Sequence, residues 1–493
     1  MSTKKDTTNN IKDKEVAVEK GGKAPNKKTR SKKRKDDIKT KNVGIKSIIE
    51  HDPIANEQIL DSDLVEISIA ELIDVLGSTI KYDDANKAIL FVVMLSAYTE
   101  EDQLNALLLG LSASGKTFLV SEISKYFPWF DVKRFDTVSP QSFKYYNIVT
   151  DEATGLQCSD IERKILIFSE MPHSELLKNL RPVLSHDNKL CRFMTTNKNK
   201  SGRNTVDDIH IKGFAATIFC SANTSNIDTQ ESSRSILISP EVTPEKIEAS
   251  LNSIQIKTSD KEAYNDFVNN DEKRKSLMRR IRYIKNMKIQ HIKINDEDSK
   301  LILERFKKFV GKHPASRSVR DLDHLYSVIK AISLLNAKNR VNDKNDVVVD
   351  ESDIEAGFKL WEKIGTPQLY GVTPYLYEDV YQKVIVPAWL EQKEAARYDD
   401  VIGLTRNDIE EKYFKVHNRM LRADELRKNI IPPLALCGLI SETKHPQDKK
   451  YKLITPNVIN GEHIDHQDGE AGQVITQEYA DIVKEVFDEK ASQ

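Results

Sequence analysis

The chain has 493 residues, 39% hydrophobic and 31% charged, with a formal net charge of −1. That length holds two to four domains with substantial cores. With no signal peptide and no apolar run approaching about 18 residues, it reads as a soluble intracellular protein without a membrane partner. Its four cysteines, Cys158, Cys191, Cys220 and Cys437, stand far apart without CxxC spacing, which argues against a zinc site and against disulfides.

The near-zero charge hides an asymmetry. Residues 1–46 carry 16 Lys/Arg against 6 Asp/Glu, a net of +10, and no aromatic residue. Such a segment buries too little apolar surface to fold, so it reads as a disordered basic tail. It is either an arm lying on nucleic acid or a solubilising extension. Within it, residues 27–35 (KKTRSKKRK) have the composition of a nuclear-import signal. The expected location is therefore nuclear in a eukaryote, and cytoplasmic or nucleoid-associated in a prokaryote or virus. Residues 47–82 form a short helical lead-in, and 83–99 an amphipathic helix carrying Ile89, Leu90, Val92, Val93 and Leu95.

From there to about residue 245 apolar strands alternate with helices, which predicts an α/β core with a parallel sheet covered on both faces. The candidate strands are 104–109, 132–137, 165–168, 215–222 and 235–239. The first runs into Gly110-Leu111-Ser112-Ala113-Ser114-Gly115-Lys116-Thr117, a complete GxxxxGK[ST] phosphate loop, followed by a helical stretch over 118–126. A strand that ends in a glycine-rich curl and continues as a helix turns its amides inward onto an anion. Gly110, Ser112, Ser114, Gly115, Lys116 and Thr117 are therefore the candidate nucleotide-binding residues. Lys116 would reach the β- and γ-phosphates of ATP, and the Thr117 hydroxyl would bind Mg²⁺.

The strand 165–168 ends in Ser169-Glu170, 54 residues after Lys116 (170 − 116). This is a Walker B position, where Glu170 could polarise a water for attack on the γ-phosphate. Ser169 stands where an aspartate usually holds the metal's hydration shell. A hydroxyl can accept from a metal-bound water but brings no charge. The strand 215–222 ends at Asn223, placed to orient the attacking water. Glu231-Ser232-Ser233-Arg234 precedes the strand 235–239, and Arg234 there could enter a neighbouring subunit's site as an arginine finger. Between these strands, residues 190–213 read as a β-hairpin with a basic tip, its Lys198, Lys200 and Arg203 meeting phosphates by charge without reading sequence.

Residues 246–365 turn helical and highly charged, and 366–460 mix helices with a hairpin. Helices at 407–413 and 423–436, then strands at 439–442 and 450–454 around a polar wing at 445–450, have the pattern of a winged helix. Wings serve DNA and protein partners alike. Residues 461–493 form an acidic tail.

GLSASGKT, ILIFSE, FCSAN and SSRSILIS, in this order and at these intervals, resemble the core of an AAA+ ATPase. Downstream, Ser316-Arg317-Ser318-Val319-Arg320-Asp321-Leu322-Asp323-His324-Leu325 resembles the lid of minichromosome-maintenance-type helicases and of the primase-associated replication ATPases of phages, plasmids and integrated elements. The resemblance spans roughly residues 85–365. It implies a P-loop AAA+ fold with a helical lid and a C-terminal winged helix. It implies that Arg320, with Arg317 as next match, senses nucleotide from the lid, and that the 190–213 hairpin projects into a ring's pore. The expected function is an ATP-dependent DNA motor, a replicative helicase of a mobile element. It would act as a ring homo-oligomer on single-stranded or forked DNA, with a primase or other replication protein as partner. The alternative is an AAA+ loader, initiator or regulator that remodels a protein–DNA complex without processive unwinding, which Ser169 favours.

Overall fold

A computed structural model describes residues 57–110, 113–140, 148–150, 155–198, 204–221, 232–289, 291–311, 317–396, 402–446, 451–459 and 462–463, with Ile54, Phe143 and Tyr146. The chain divides into two compact units, Met1–Asn56 and Glu57–Gln493, and the elements below all belong to the second. The basic tail expected over 1–46 lies outside the described residues, as does the acidic tail beyond His463.

After helix α1 (Ile69–Leu76) comes α2 (Asp84–Leu95), in which every residue from Ala88 to Leu95 is buried. A helix that is apolar all round belongs inside a core, and α2 lies under the main sheet. That sheet joins β1 (Asn105–Leu109), β2 (Val132–Phe135), β5 (Lys164–Phe168), β8 (Ala215–Ser221) and β9 (Ile236–Ile238) in the order β2-β5-β8-β1-β9, all parallel. All five β1 residues are buried, as a strand covered on both faces requires. The five strands expected from sequence are these five, within two residues at each end.

On one face Phe135, Phe168 and Phe219 stand in register and stack, with ring centroids 5.1 and 5.0 Å apart. Helix α4 (Ser174–Leu184) covers this row with Leu176, Leu180 and Leu184. Helix α3 (Lys116–Ser124) follows β1. A second sheet, ordered β3-β4-β7-β6, adds Cys191 and Ile211 to the same core. Its β6 (Leu190–Lys198) and β7 (Asn204–Lys212) are the expected hairpin, antiparallel in register from Leu190↔Lys212 to Lys198↔Asn204. Its β3 (Ile148–Thr150) and β4 (Gln157–Asp160) were not foreseen.

The helical segment runs through α5 (Pro244–Ser259), α6 (Lys261–Asn270), α7 (Glu272–Met287), α8 (Asp296–Val310), α9 (Ser318–Leu335) and α10 (Glu351–Tyr370). Gly357 lets α10 approach α9 closely, because a Cβ there would stand 2.4 Å from Ile329 Cγ1. Asp131, fully buried at the amino end of β2, joins this segment to the sheet. It accepts from Tyr98 Oη at 3.0 Å and Lys164 Nζ at 3.0 Å, and pairs with Lys285 Nζ of α7 at 2.6 Å.

The edge strand β9 is finished by a side chain. The buried Gln368 of α10 donates to Leu237 O at 2.7 Å and accepts from Leu237 N at 2.9 Å, so one amide replaces a missing ladder step.

The C-terminal segment packs a π-helix (Tyr375–Ile385), α11 (Val386–Ala395), α12 (Arg406–His417) and a helical run over 423–436 on the antiparallel pair Ile440–Lys444 and Lys452–Pro456. Tyr381, Ile385, Ile409, Leu426, Leu434 and Ile454 form its core. Residues 447–450 of the expected wing lie outside the described residues. No helix among the described residues is long and apolar enough to cross a membrane.

Gly357→Ala should force α9 and α10 apart and lower the unfolding free energy by about 1–3 kcal/mol. An unchanged urea midpoint would contradict this packing.

Candidate nucleotide site at the carboxyl edge of the sheet

Every parallel strand delivers its carboxyl end to one edge, the edge at which open α/β sheets bind ligands. β1 leaves the sheet through Gly110. Leu111 and Ser112 lie outside the described residues, and the chain resumes with Ala113 at φ 64° and Gly115 at φ 91°. Left-handed backbone at two positions so close together is what curls the loop, and glycine adopts it without strain. Gly115 caps α3, its carbonyl accepting from Leu119 N at 2.9 Å.

Lys116 folds back into the curl. Its Nζ donates to Gly110 O at 2.9 Å and lies 3.5 Å from Ser114 Oγ. The side chain is buried, and burial pushes its pKa down, with Cys220 opposing. A partly desolvated ammonium beside a backbone carbonyl is a favourable site for an anion. Thr117 is exposed on the first turn of α3, its hydroxyl open to a metal.

Ser169 and Glu170 follow β5 at the same edge, and Glu170 is exposed. Ser169 Oγ donates to Asp136 Oδ1, at the end of β2, at 2.7 Å. Asp136 was not foreseen as a site residue. Its sequence signal is a carboxylate one residue before the end of the expected strand 132–137. Asn223 lies outside the described residues, as do Lys200 and Arg203. Lys198 ends β6, its side chain outside the described residues. Among the described residues no group of three His, Cys, Asp or Glu could hold a metal ion. The available donors instead suit Mg²⁺, which keeps most of its waters and is carried in with phosphates.

Beside the loop lies a cleft of about 430 Å³ lined by Asn86, Ser239, Glu241, Tyr375 and Glu378, among others. Pro240, between two of these, approaches Gly110 closely: a Cβ on that glycine would stand 3.8 Å from Pro240 Cδ. Ser239 Oγ is buried there without a hydrogen-bond partner.

Arg234 and Arg320 lie at the opposite edge. Arg234 is half-buried in the turn that starts β9, and its carbonyl accepts from Asn105 Nδ2 at 3.2 Å. Asn105 opens β1, five residues before Gly110, so this turn stands about 17 Å from the phosphate loop along the strand. Arg320 is exposed on the first turn of α9 and donates to Ser233 Oγ in the same turn.

Arg317, the second lid candidate, is largely enclosed, its side chain 10% exposed, and holds that turn in place. It donates to Ser232 O at 2.9 Å, Ser235 O at 3.1 Å, Gln368 Oε1 at 3.0 Å and Asp321 Oδ1 at 3.0 Å. Burial pushes the Arg317 pKa down, opposed by Asp321. His324, one turn further along α9, has its Nδ1 buried without a hydrogen-bond partner, with Arg317, Arg320 and His186 nearby and Asp321 Oδ1 4.0 Å away. Burial first, and those cations next, hold the His324 pKa down to about 3, while burial holds His186 down to about 4.

Comparison with protein-family models and with curated proteins yields no match.

Arg317→Ala leaves Asp321 buried without its cation and should cost about 3–5 kcal/mol of stability. Arg320→Ala, at an exposed position, should stay within about 0.5 kcal/mol of wild type by urea unfolding. Equal losses would contradict the assigned burial.

His186 and His324 fold neutral, so the unfolded chain binds more protons below its ordinary histidine pKa. Stability should be full above about pH 6.5 and fall towards pH 4, by at most about 1.4 kcal/mol per pH unit for each histidine. His324→Phe should flatten that slope, and a slope equal to wild type would contradict it.

Proposed function

We propose that the chain is an AAA+ ATPase that binds ATP at the Gly110–Thr117 loop, completes its site between subunits of a ring, and works as a motor on DNA. The observation that carries this reading is Lys116, folded back on Gly110 O, at the carboxyl edge of a five-stranded parallel sheet.

Lys116 binds the β- and γ-phosphates, trading its bond to Gly110 O for phosphate oxygens. Thr117 and Ser169 would hold the Mg²⁺ carried in with the nucleotide, which would supply positive charge to offset that of the phosphates. Glu170 takes the proton of the attacking water. The neighbouring cleft, with its unpartnered Ser239 hydroxyl, suits the base and sugar. Arg234 lies in the turn at the far edge and Arg320 bonds Ser233 of that turn from α9, so neither reaches its own subunit's phosphates. In a ring both would face the next subunit's nucleotide, with Arg234 neutralising transition-state charge. The 190–213 hairpin is the candidate element for pushing on single-stranded DNA. The C-terminal helices and antiparallel pair suit a winged helix on duplex DNA.

The second reading is the loader, initiator or regulator, which a slow, uncharged Walker B position would suit. ATP turnover with and without single-stranded DNA separates the two. DNA should stimulate hydrolysis, with Glu170→Ala lowering kcat about 10²–10⁴-fold and Arg234→Ala about 10³-fold or more. Lys116→Ala should abolish nucleotide binding. Tight ATP binding with no turnover in wild type would favour the switch, and no ATP binding would end the proposal.

A further inference from the structure

A motor needs firm metal binding, and the chain has lost the carboxylate that normally supplies it from the end of β5. We propose that Asp136, on the adjacent strand β2, provides that carboxylate, and that Ser169 positions it toward the Mg²⁺ of bound nucleoside triphosphate. This rests on the nucleotide reading of the loop.

The register places the groups. Phe135, Phe168, Phe219 and Leu107 face one another across four strands. One residue further on, Asp136, Ser169, Cys220 and Leu108 form the next row, on the opposite face of the pleat. That is the face of Lys116. The Cys220 thiol, pushed up to about 11 by burial, is drawn back by the charges of Lys116 and Arg134. Asp136, Ser169 and the loop lysine therefore line one surface at one edge.

The hydrogen-bond inventory agrees. Ser169 N donates to Phe135 O at 2.9 Å, which fixes the two strand ends side by side. The Ser169 hydroxyl spends its single proton on Asp136 Oδ1 at 2.7 Å. Its lone pairs stay available to a metal-bound water. Among the described residues Asp136 makes no other hydrogen bond and no ion pair. It sits one strand spacing, about 4.8 Å, from the Ser169 position, from where its carboxylate would hold the metal through a bound water. Serine thus converts the lost charge into an aimed one.

Equilibrium binding of a fluorescent ATP analogue, measured in Mg²⁺ and in EDTA, tests this without reference to turnover. Wild type should bind more tightly in Mg²⁺. Asp136→Asn should lose about 10- to 100-fold of that metal-linked gain while keeping its EDTA affinity. Adding Ser169→Asp to Asp136→Asn should restore it. If Asp136→Asn keeps the wild-type gain, the proposal is overturned and the nucleotide site stands. If wild type binds no analogue under either condition, the nucleotide reading fails and this assignment with it.

Discussion

The polarity of the five-stranded sheet governs everything else. Because all five strands run parallel, their carboxyl ends form one edge and their amino ends the other. Gly110, Lys116, Ser169, Glu170 and Asp136 are thereby gathered at one edge, and the Arg234 turn is sent to the opposite one. On the reading we propose, a single chain then holds two half-sites that cannot meet, and a closed ring of identical subunits in heterologous contact would unite them.

The Arg234 turn is held from both sides. From within, Asn105 at the start of β1 spans Leu184 O at 2.9 Å and Arg234 O at 3.2 Å, tying the end of α4 to the turn. From outside, Arg317 grips Ser232 and Ser235, and Gln368 binds both Arg317 and the edge of β9. The turn, helices α9 and α10 and the helix leading into the β6–β7 hairpin are joined by one set of buried and part-buried hydrogen bonds. Such networks are costly when half-satisfied, so a displacement of the turn would be felt at the lid and at the base of the hairpin. Asp131 adds a second joint between sheet and helices, fully buried and bonded by Tyr98, Lys164 and Lys285.

Much of this was legible in the chain. Runs such as Leu107-Leu108-Leu109 and Ile165-Leu166-Ile167-Phe168 announce strands buried on both faces, and Gly110 to Thr117 announces its own curl. What escaped depends on pairing rather than on pattern. Ile148–Thr150 and Gln157–Asp160 are short and partly polar, and become strands only because β7 offers an edge to them. The family resemblance ranked Arg320 above Arg317. Only packing reveals that Arg317 is the largely enclosed clamp and Arg320 the exposed neighbour of Ser233. Asp136 lies 33 residues from Ser169, and nothing local says that two strand ends will stand side by side.

The central claim is that one nucleotide site is built by two chains, and mixing of subunits tests it most directly. Lys116→Ala keeps the arginine turn and loses the phosphate loop, whereas Arg234→Ala does the reverse. Each variant alone should be inactive. In an equal mixture roughly a quarter of the heterologous interfaces regain a sound loop facing a sound arginine, so ATP hydrolysis should reappear at about that fraction of wild type. Hydrolysis by Arg234→Ala alone, or no recovery in a mixture shown to co-assemble, would contradict the account.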